Sequence, residues 1–392
     1  MNRKAIGKTL ILIALSLAWG YMIAGIAWAQ GTTNAYLRAQ AFTQTMPDNT
    51  VVTMWGYAEC DATFATCGAP SVPGPTRTAT AGDTLNIQVS NALAGAYTEP
   101  TSLIIPGQVT TLTPTWSDGT TGGRPAGNAT LRVRSFNLEA AVGGTRTYTW
   151  TGIRAGTYLY QSGTHPSVQV QMGLFGALRV NPATAGRAYD PASTAYDTQV
   201  TLVFSEIDPA LHSAVAAGTY GPGGTVTSTI GYAPKYFLLN GQPFSYGRSA
   251  FDAGPATNGQ IVLIRFLNAS LEPHTPVFQG ASLNIVAEDG NLYPFAKNQY
   301  SVLLPPGKTV DALFTVSANT PNYIPFHDRM LNLTNSSTSP GGMLGYLKLA
   351  TTNQFTVTAT KAGNGGGKIN ATSLPGGISC LSDAAADPAG CT

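Results

Sequence analysis

Charge is scarce in this chain of 392 residues: only 10% are Asp, Glu, Lys or Arg, and the formal net charge is +2. No cluster of Lys and Arg lies beyond the N-terminus, so the electrostatic footprint of a nucleic-acid binder is missing and no nucleic-acid partner is expected. Histidine is scarcer still. His165, His212, His274 and His327 are the only four, and none shows the H-x-H or H-x-x-H spacing that puts two imidazoles on one metal. A G-x-S-x-G elbow, a phosphate loop and a dinucleotide fingerprint are also absent. Beyond the first 29 residues no apolar run nears the ~20 residues of a membrane-spanning helix, so no span is expected there.

Residues 1–29 read as a secretory signal peptide. Arg3, Lys4 and Lys8 are its basic start, Leu10–Leu17 its apolar centre, and Ala27-Trp28-Ala29 the small-residue cleavage site before Gln30. An uncleaved anchor is the alternative, because the run from Thr9 to Trp28 approaches spanning length. The expectation is a secreted, periplasmic or cell-surface protein. Cysteine usage fits that setting: the four cysteines form two close pairs, Cys60 with Cys67 and Cys380 with Cys391, for which local disulfides are the natural reading. Metal binding is the sharper alternative, but neither pair has C-x-x-C spacing or a nearby histidine.

What is present is turn and strand chemistry: Gly 44, Pro 26 and abundant Thr and Ser. Leu85-Asn86-Ile87-Gln88-Val89 alternates apolar and polar residues, the period of a half-buried strand. Val51–Tyr57, Arg132–Phe136 and Thr145–Trp150 read likewise, while Thr110–Asn128 reads as a long loop. Residues 30–50 are polar and read as a lead into the first strand at Val51. The expected architecture is all-β: two β-sandwich domains, 30–185 and 186–350, joined near Asn181–Thr198. A Gly-rich tail, 351–392, ends in the second cysteine pair.

The sequence also resembles a known family. Gly156-Thr157-Tyr158-Leu159-Tyr160-Gln161-Ser162-Gly163, followed by Gly173-Leu174-Phe175-Gly176-Ala177-Leu178, is similar to G-T-Y-W-Y-H-S-H…G-L-Y-G-A-L of the first domain of multicopper oxidases. Glu99-Pro100-Thr101-Ser102-Leu103-Ile104-Ile105-Pro106-Gly107 resembles that family's E-P-T-S-I-H-W-H-G. In the second half Phe237–Pro243, Ile264–Ala269, Ile285–Gly290 and Leu303–Ala312 resemble its second domain. The resemblance implies that the two domains are cupredoxin-like Greek-key β-sandwiches.

The resemblance implies that Ile104, Pro106, Gln161 and Gly163 occupy the positions of four copper-binding histidines. Isoleucine, proline and glycine side chains offer no lone pair, and an amide is a poor substitute. The family's third domain, with its H-x-x-H-x-H and H-C-H motifs, has no counterpart in the 43 residues from Ala350 onward. No cofactor is therefore expected, and the chain alone is expected to be inactive as an oxidase. The reading that follows is an exported module with a degenerate copper site that binds or assembles with a protein partner or with copies of itself.

One alternative is the scaffold part of a copper-dependent oxidase, acting on phenols or metal ions with oxygen, whose copper-bearing domain is separate. Another is a structural surface protein. His165, with Tyr160 and Gln161 beside it, marks the candidate contacts to a ligand or partner. His274 reads as a turn residue, His212 as a loop residue, and His327 as an ion-pair candidate at a strand end. Glu288 and Asp289, as strand neighbours, should face opposite ways and not act together.

Overall fold

The computed structural model describes residues 30–123, 130–245 and 249–349, and the backbone of 367–370 and 379–382. The first half forms strands β1 (Thr32–Thr45), β2 (Val51–Glu59), β3 (Gly74–Thr80), β4 (Thr84–Asn91), β5 (Thr115–Trp116), β6 (Val133–Ser135), β7 (Thr145–Trp150), β8 (Gly156–Gln161) and β9 (Phe175–Asn181). The polar lead-in is thus itself the longest strand. Its Ala35, Leu37 and Ala39 point inward, while Asn34, Tyr36 and Arg38 point outward. That alternation is diluted by Ala and Thr, which hides it from a hydropathy reading.

One sheet orders β2-β1-β4-β7 and the facing one β3-β9-β8. Leu37, Ile87 and Tyr148 from the first pack on Tyr158 and Leu178 from the second, giving a two-layer β structure. The segment after β8 is not a plain loop. Pro166–Met172 forms a short helix, α1, with Pro at its first turn and Gly173 at its end.

The second half repeats the plan with β10 (Thr198–Ile207), β11 (Tyr236–Leu239), β12 (Ala250–Asp252), β13 (Ile261–Asn268), β14 (Pro276–Phe278), β15 (Leu283–Glu288), β16 (Asn291–Gln299), β17 (Thr309–Thr315), β18 (Tyr323–Asp328) and β19 (Leu344–Lys348). The order β11-β10-β13-β17 mirrors β2-β1-β4-β7, with the parallel pair β10/β13 matching β1/β4. The strands β12-β19-β18 mirror β3-β9-β8. A buried asparagine closes the same loop in each half. Asn91 Nδ2 donates to Glu99 O and Ala140 O, while its Oδ1 accepts from Leu93 N. Asn268 does the same with Glu272 O, Leu304 O and Ser270 N.

The sandwiches share a core in which Met54, Leu159 and Phe175 pack with Val203, Leu238 and Leu267. At its side lies a buried polar hub. Arg265 Nη1 donates to Thr157 Oγ1 at 2.7 Å, Thr157 Oγ1 donates to Asp311 Oδ1 at 2.5 Å, and Tyr189 OH donates to Asp311 Oδ2 at 2.6 Å. The connecting segment is therefore packed rather than free: Ala188 and Tyr189 are buried. Both sandwiches fall in one contact unit ending at Ala350, and 351–392 form another. The latter contains an antiparallel hairpin of β20 (Gly367–Asn370) and β21 (Ser379–Ser382). Cys60 and Cys67 are disulfide-bonded. The signal segment and the Cys380 to Cys391 pairing lie outside the described residues.

Two histidines differ from expectation. His212 lies in helix α2 (Pro209–Ala217), which Asp208 caps, and its buried ring nitrogens face Thr53 O and Gln171 O of the first half. His274 is no surface turn. It is fully buried between two fully buried carboxylates, with Nδ1 at 2.9 Å from Asp328 Oδ2 and Nε2 at 3.3 Å from Glu206 Oε2. Burial alone pushes its pKa down, but the bonds to Asp328 and Glu206 outweigh this and raise it to about 9. The same contact, with the Thr275 N–H, holds Asp328 below its ordinary value against the opposing effect of burial.

A folded-state pKa raised from 6.5 to about 9 contributes stability that is complete below pH 6.5 and is lost as pH climbs through about 9. Urea unfolding across that window should show this decline in the wild type and a flatter profile in His274→Gln. Asp328→Asn should cost ~3–5 kcal/mol, because it strands a buried charge.

Candidate functional site

The two motif segments that sequence singles out meet edge to edge. Ile104 N donates to Gln161 O at 2.9 Å and Gln161 N to Ile104 O at 3.0 Å, a two-residue antiparallel bridge that fixes β8 against the 99–107 segment. Gly163 packs under the same isoleucine: a Cβ built there would lie 2.8 Å from Ile104 Cγ2 and 2.8 Å from Ser102 Oγ. Ile104, Gln161 and Gly163 therefore converge, and the space a side chain at 163 would need is taken by Ile104 and Ser102. Pro106 sits apart on the exposed end of the segment.

Around this point the interior is polar and closed by hydroxyls. Thr164 Oγ1 donates to the shared Ser102–Ser135 hydroxyl pair, whose oxygens lie 2.8 Å apart, and is 3.2 Å from Glu139 Oε1. Thr101 Oγ1 and Ser162 Oγ both donate to Gln169 Oε1, at 2.8 and 2.6 Å. All six hydroxyl and amide side chains are buried, which requires that their polar atoms be paired. The two charges at the rim are paired as well: Arg134 grips Glu139 through Nε and Nη2.

Helix α1 aims two groups at Glu99. His165, in a left-handed conformation at the helix start, places Nδ1 at 2.7 Å from Glu99 Oε2, and Gln169 Nε2 donates to Oε1 at 2.9 Å. The carboxylate requires Nδ1 to be the donor, and Nε2 has no partner among the described residues. Tyr97 OH lies 3.4 Å from the same carboxylate, and burial together with Glu99 pushes this phenol's pKa up. Such a cluster can hold a geometry and accept one hydrogen bond or ligand at His165.

Of the sequence candidates, His165 is half-exposed, Gln161 is partly exposed, and Tyr160 is fully buried with its OH donating to Pro75 O. Gln169 is beside His165 in sequence as well as in space, whereas Glu99, Ser135 and Glu139 were not foreseen as its neighbours. Only the Glu-Pro at 99–100 carried a signal, and it names a loop rather than a partner for His165. Glu288 and Asp289 do not face opposite ways. Asp289 turns left-handed between β15 and β16, so both carboxylates reach Lys308 Nζ, at 2.8 and 2.9 Å. His327 lies on β18, in register with Val277. Among the described residues no three His, Cys, Asp or Glu side chains converge to hold a metal.

Residues 59–185 and 203–345 each match a sequence profile of multicopper oxidases. The chain belongs to the multicopper oxidase family. Solved structures agree in fold. A blue copper oxidase from Nitrosomonas europaea superposes with TM-score 0.59 at 18% identity, over 81% of this chain and 86% of that one. The multicopper oxidase mgLAC gives 0.60 at 18%, again over 81% and 86%. A copper nitrite reductase from Nitrosomonas europaea gives 0.57 at 17%, over 83% and 95%. At these identities the likeness is one of fold alone. No curated protein matches the sequence.

For this family member, the packing of Ile104 on Gly163 yields a test. Gly163→Ala should destabilise by ~1–3 kcal/mol, as overpacking in a closed interior does. Combined with Ile104→Ala, the penalty should shrink, and a double-mutant cycle by urea unfolding should return a clear coupling between the two positions. Additive losses would mean that the two side chains do not compete for this space.

Proposed function

We propose that this multicopper oxidase relative no longer ligates copper at the motif positions of its first sandwich, and that it is exported to work as a binding or assembly module. One observation carries the reading. Ile104, at a position where the family's motif has a ligand, is buried and fills the room a side chain at 163 would need. The surrounding hydroxyls are satisfied by one another, so the interior leaves no set of imidazoles or thiolates to receive a soft or borderline metal. Neither Ile104 nor Gly163 has a donor atom, and Pro106 has only a backbone carbonyl. No reaction step is assigned to the module.

A second reading retains copper chemistry, with this chain as the scaffold of an oxidase completed by a separate copper-bearing domain. The match of both halves to multicopper oxidase profiles favours it. The experiment that separates the two uses the full chain, loaded with Cu(II) and desalted, followed by copper analysis, a visible spectrum and oxygen uptake with a phenol. The proposed reading expects no intense thiolate-to-copper band, no stoichiometric copper and no oxygen uptake. Several tightly held coppers per chain, or turnover of the phenol, would replace it with the oxidase reading.

A further inference from the structure

The outward face of the β1–β4–β7 sheet is a polar grid with little charge. Strand register places its side chains in three rows: Asn34, Asn86 and Thr149; Tyr36, Gln88 and Thr147; Arg38, Ser90 and Thr145. The grid covers about 10 Å by 14 Å at ordinary strand spacing. It contains amides, hydroxyls, one phenol and a single charge, with no carboxylate. Elsewhere on the surface several charges are paired, such as Arg77 with Glu59 and Lys348 with Asp252.

The one cation in the grid is already engaged. Arg38 Nη2 donates to Phe64 O at 2.5 Å, and its guanidinium lies 6.0 Å from the Phe64 ring. Phe64 sits at the tip of the loop closed by the Cys60–Cys67 disulfide and braced by Asp61, which accepts from the Thr63, Ala65 and Thr66 N–H groups. Its φ of 58° is a left-handed conformation that a bulky residue seldom adopts, so the loop holds this ring in place against a backbone preference. The ring stands edge-on to Tyr36, with centroids 6.1 Å apart at 88°. The middle row therefore continues from two fixed aromatic rings into Gln88 and Thr147.

Within the grid, Asn86 is oriented by its bonds to Asn34 and Thr149. The side chains of Gln88, Ser90, Thr145 and Thr147 make no hydrogen bond among the described residues.

We propose that this face binds a neutral polysaccharide chain. Amide and hydroxyl side chains both donate and accept, which is what a row of sugar hydroxyls requires. An aromatic ring offers its face to the apolar C–H side of a pyranose while its polar edge stays wet. A polyanion would find one guanidinium, already occupied, and a polycation no carboxylate. An apolar protein surface would bury the amides unpaired, which is unfavourable. The fit is to a partner without charge and dense in hydroxyls. It does not depend on the copper reading.

The test is affinity electrophoresis of the full chain in native gels containing hydroxyethyl cellulose, galactomannan or soluble starch, with polygalacturonate as the charged contrast. The expected result is retardation by at least one neutral polymer, unchanged by added salt. Tyr36→Ala, and separately the double variant Gln88→Ala with Thr147→Ala, should bind about tenfold more weakly. The Gln88/Thr147 variant should keep the wild-type unfolding midpoint, and Tyr36→Ala, which also loses the Phe64 contact, should still unfold cooperatively from a native circular-dichroism spectrum, which distinguishes a lost contact from a lost fold. Free migration in all three neutral polymers overturns the proposal. So does retardation by polygalacturonate alone, or neutral-polymer binding that both variants retain in full.

Discussion

The arrangement rests on the buried guanidinium of Arg265. Arg265 is wholly enclosed, and an unpaired guanidinium in such a place would be untenable, so its neighbours are constrained to answer it. Asp311 of β17 supplies the charge, with Oδ1 at 3.6 Å. Thr157 of β8 stands between them, bonded to both, and Gln199 accepts from Nε. Tyr189 brings the connecting segment onto the other carboxylate oxygen. The consequence runs along β8. Its start is tied into the second sandwich at Thr157, and its end carries Gln161 into the bridge with Ile104. The candidate site in the first half is thus aligned by a charge pair housed in the second.

Much of the fold was legible because alternation and turn chemistry agree. Leu85–Asn91 and Thr145–Trp150 fall where their patterns put them, and the family-like segments located Arg265 and Asp311 before any geometry was known. The missed pieces share a physical cause. Strand β1 buries alanines, whose small side chains barely register as hydrophobic, and it becomes a strand only when β2 and β4 flank it. Helix α1 has only seven residues, too few for a helical period, and is stabilised by its contacts with Glu99 and Leu174 rather than by propensity.

The two halves show why a single histidine says little by itself. The bridges Thr101 with Ala140 and His274 with Leu304 occupy matching places after matching asparagine-closed loops. In one half that place holds a threonine within a hydroxyl network. In the other it holds an imidazole between carboxylates. Sequence shows Glu-Pro-Thr and Glu-Pro-His, and gives no sign that Glu206 and Asp328, some 60 residues to either side, are the histidine's partners.

A metal that draws ligands from separate loops also ties those loops together, so its binding energy is partly folding energy. If the first sandwich has given up such ligands, something else must hold residues 99–107, 134–139 and 161–169 in one place. Hydrogen bonds tie these segments together. Thr164 reaches Ser102 in the first segment and Ser135 and Glu139 in the second, while Gln169 binds Glu99, Thr101 and Ser162. Each bond of this kind contributes only about 1 kcal/mol net, but leaving any one donor unmet after burial costs about 1–3 kcal/mol. The network therefore acts as a unit. Under that constraint, placing a histidine at 163 would push on Ile104 and Ser102 and disturb the network before it gained a metal, so single changes toward a ligand set would be resisted.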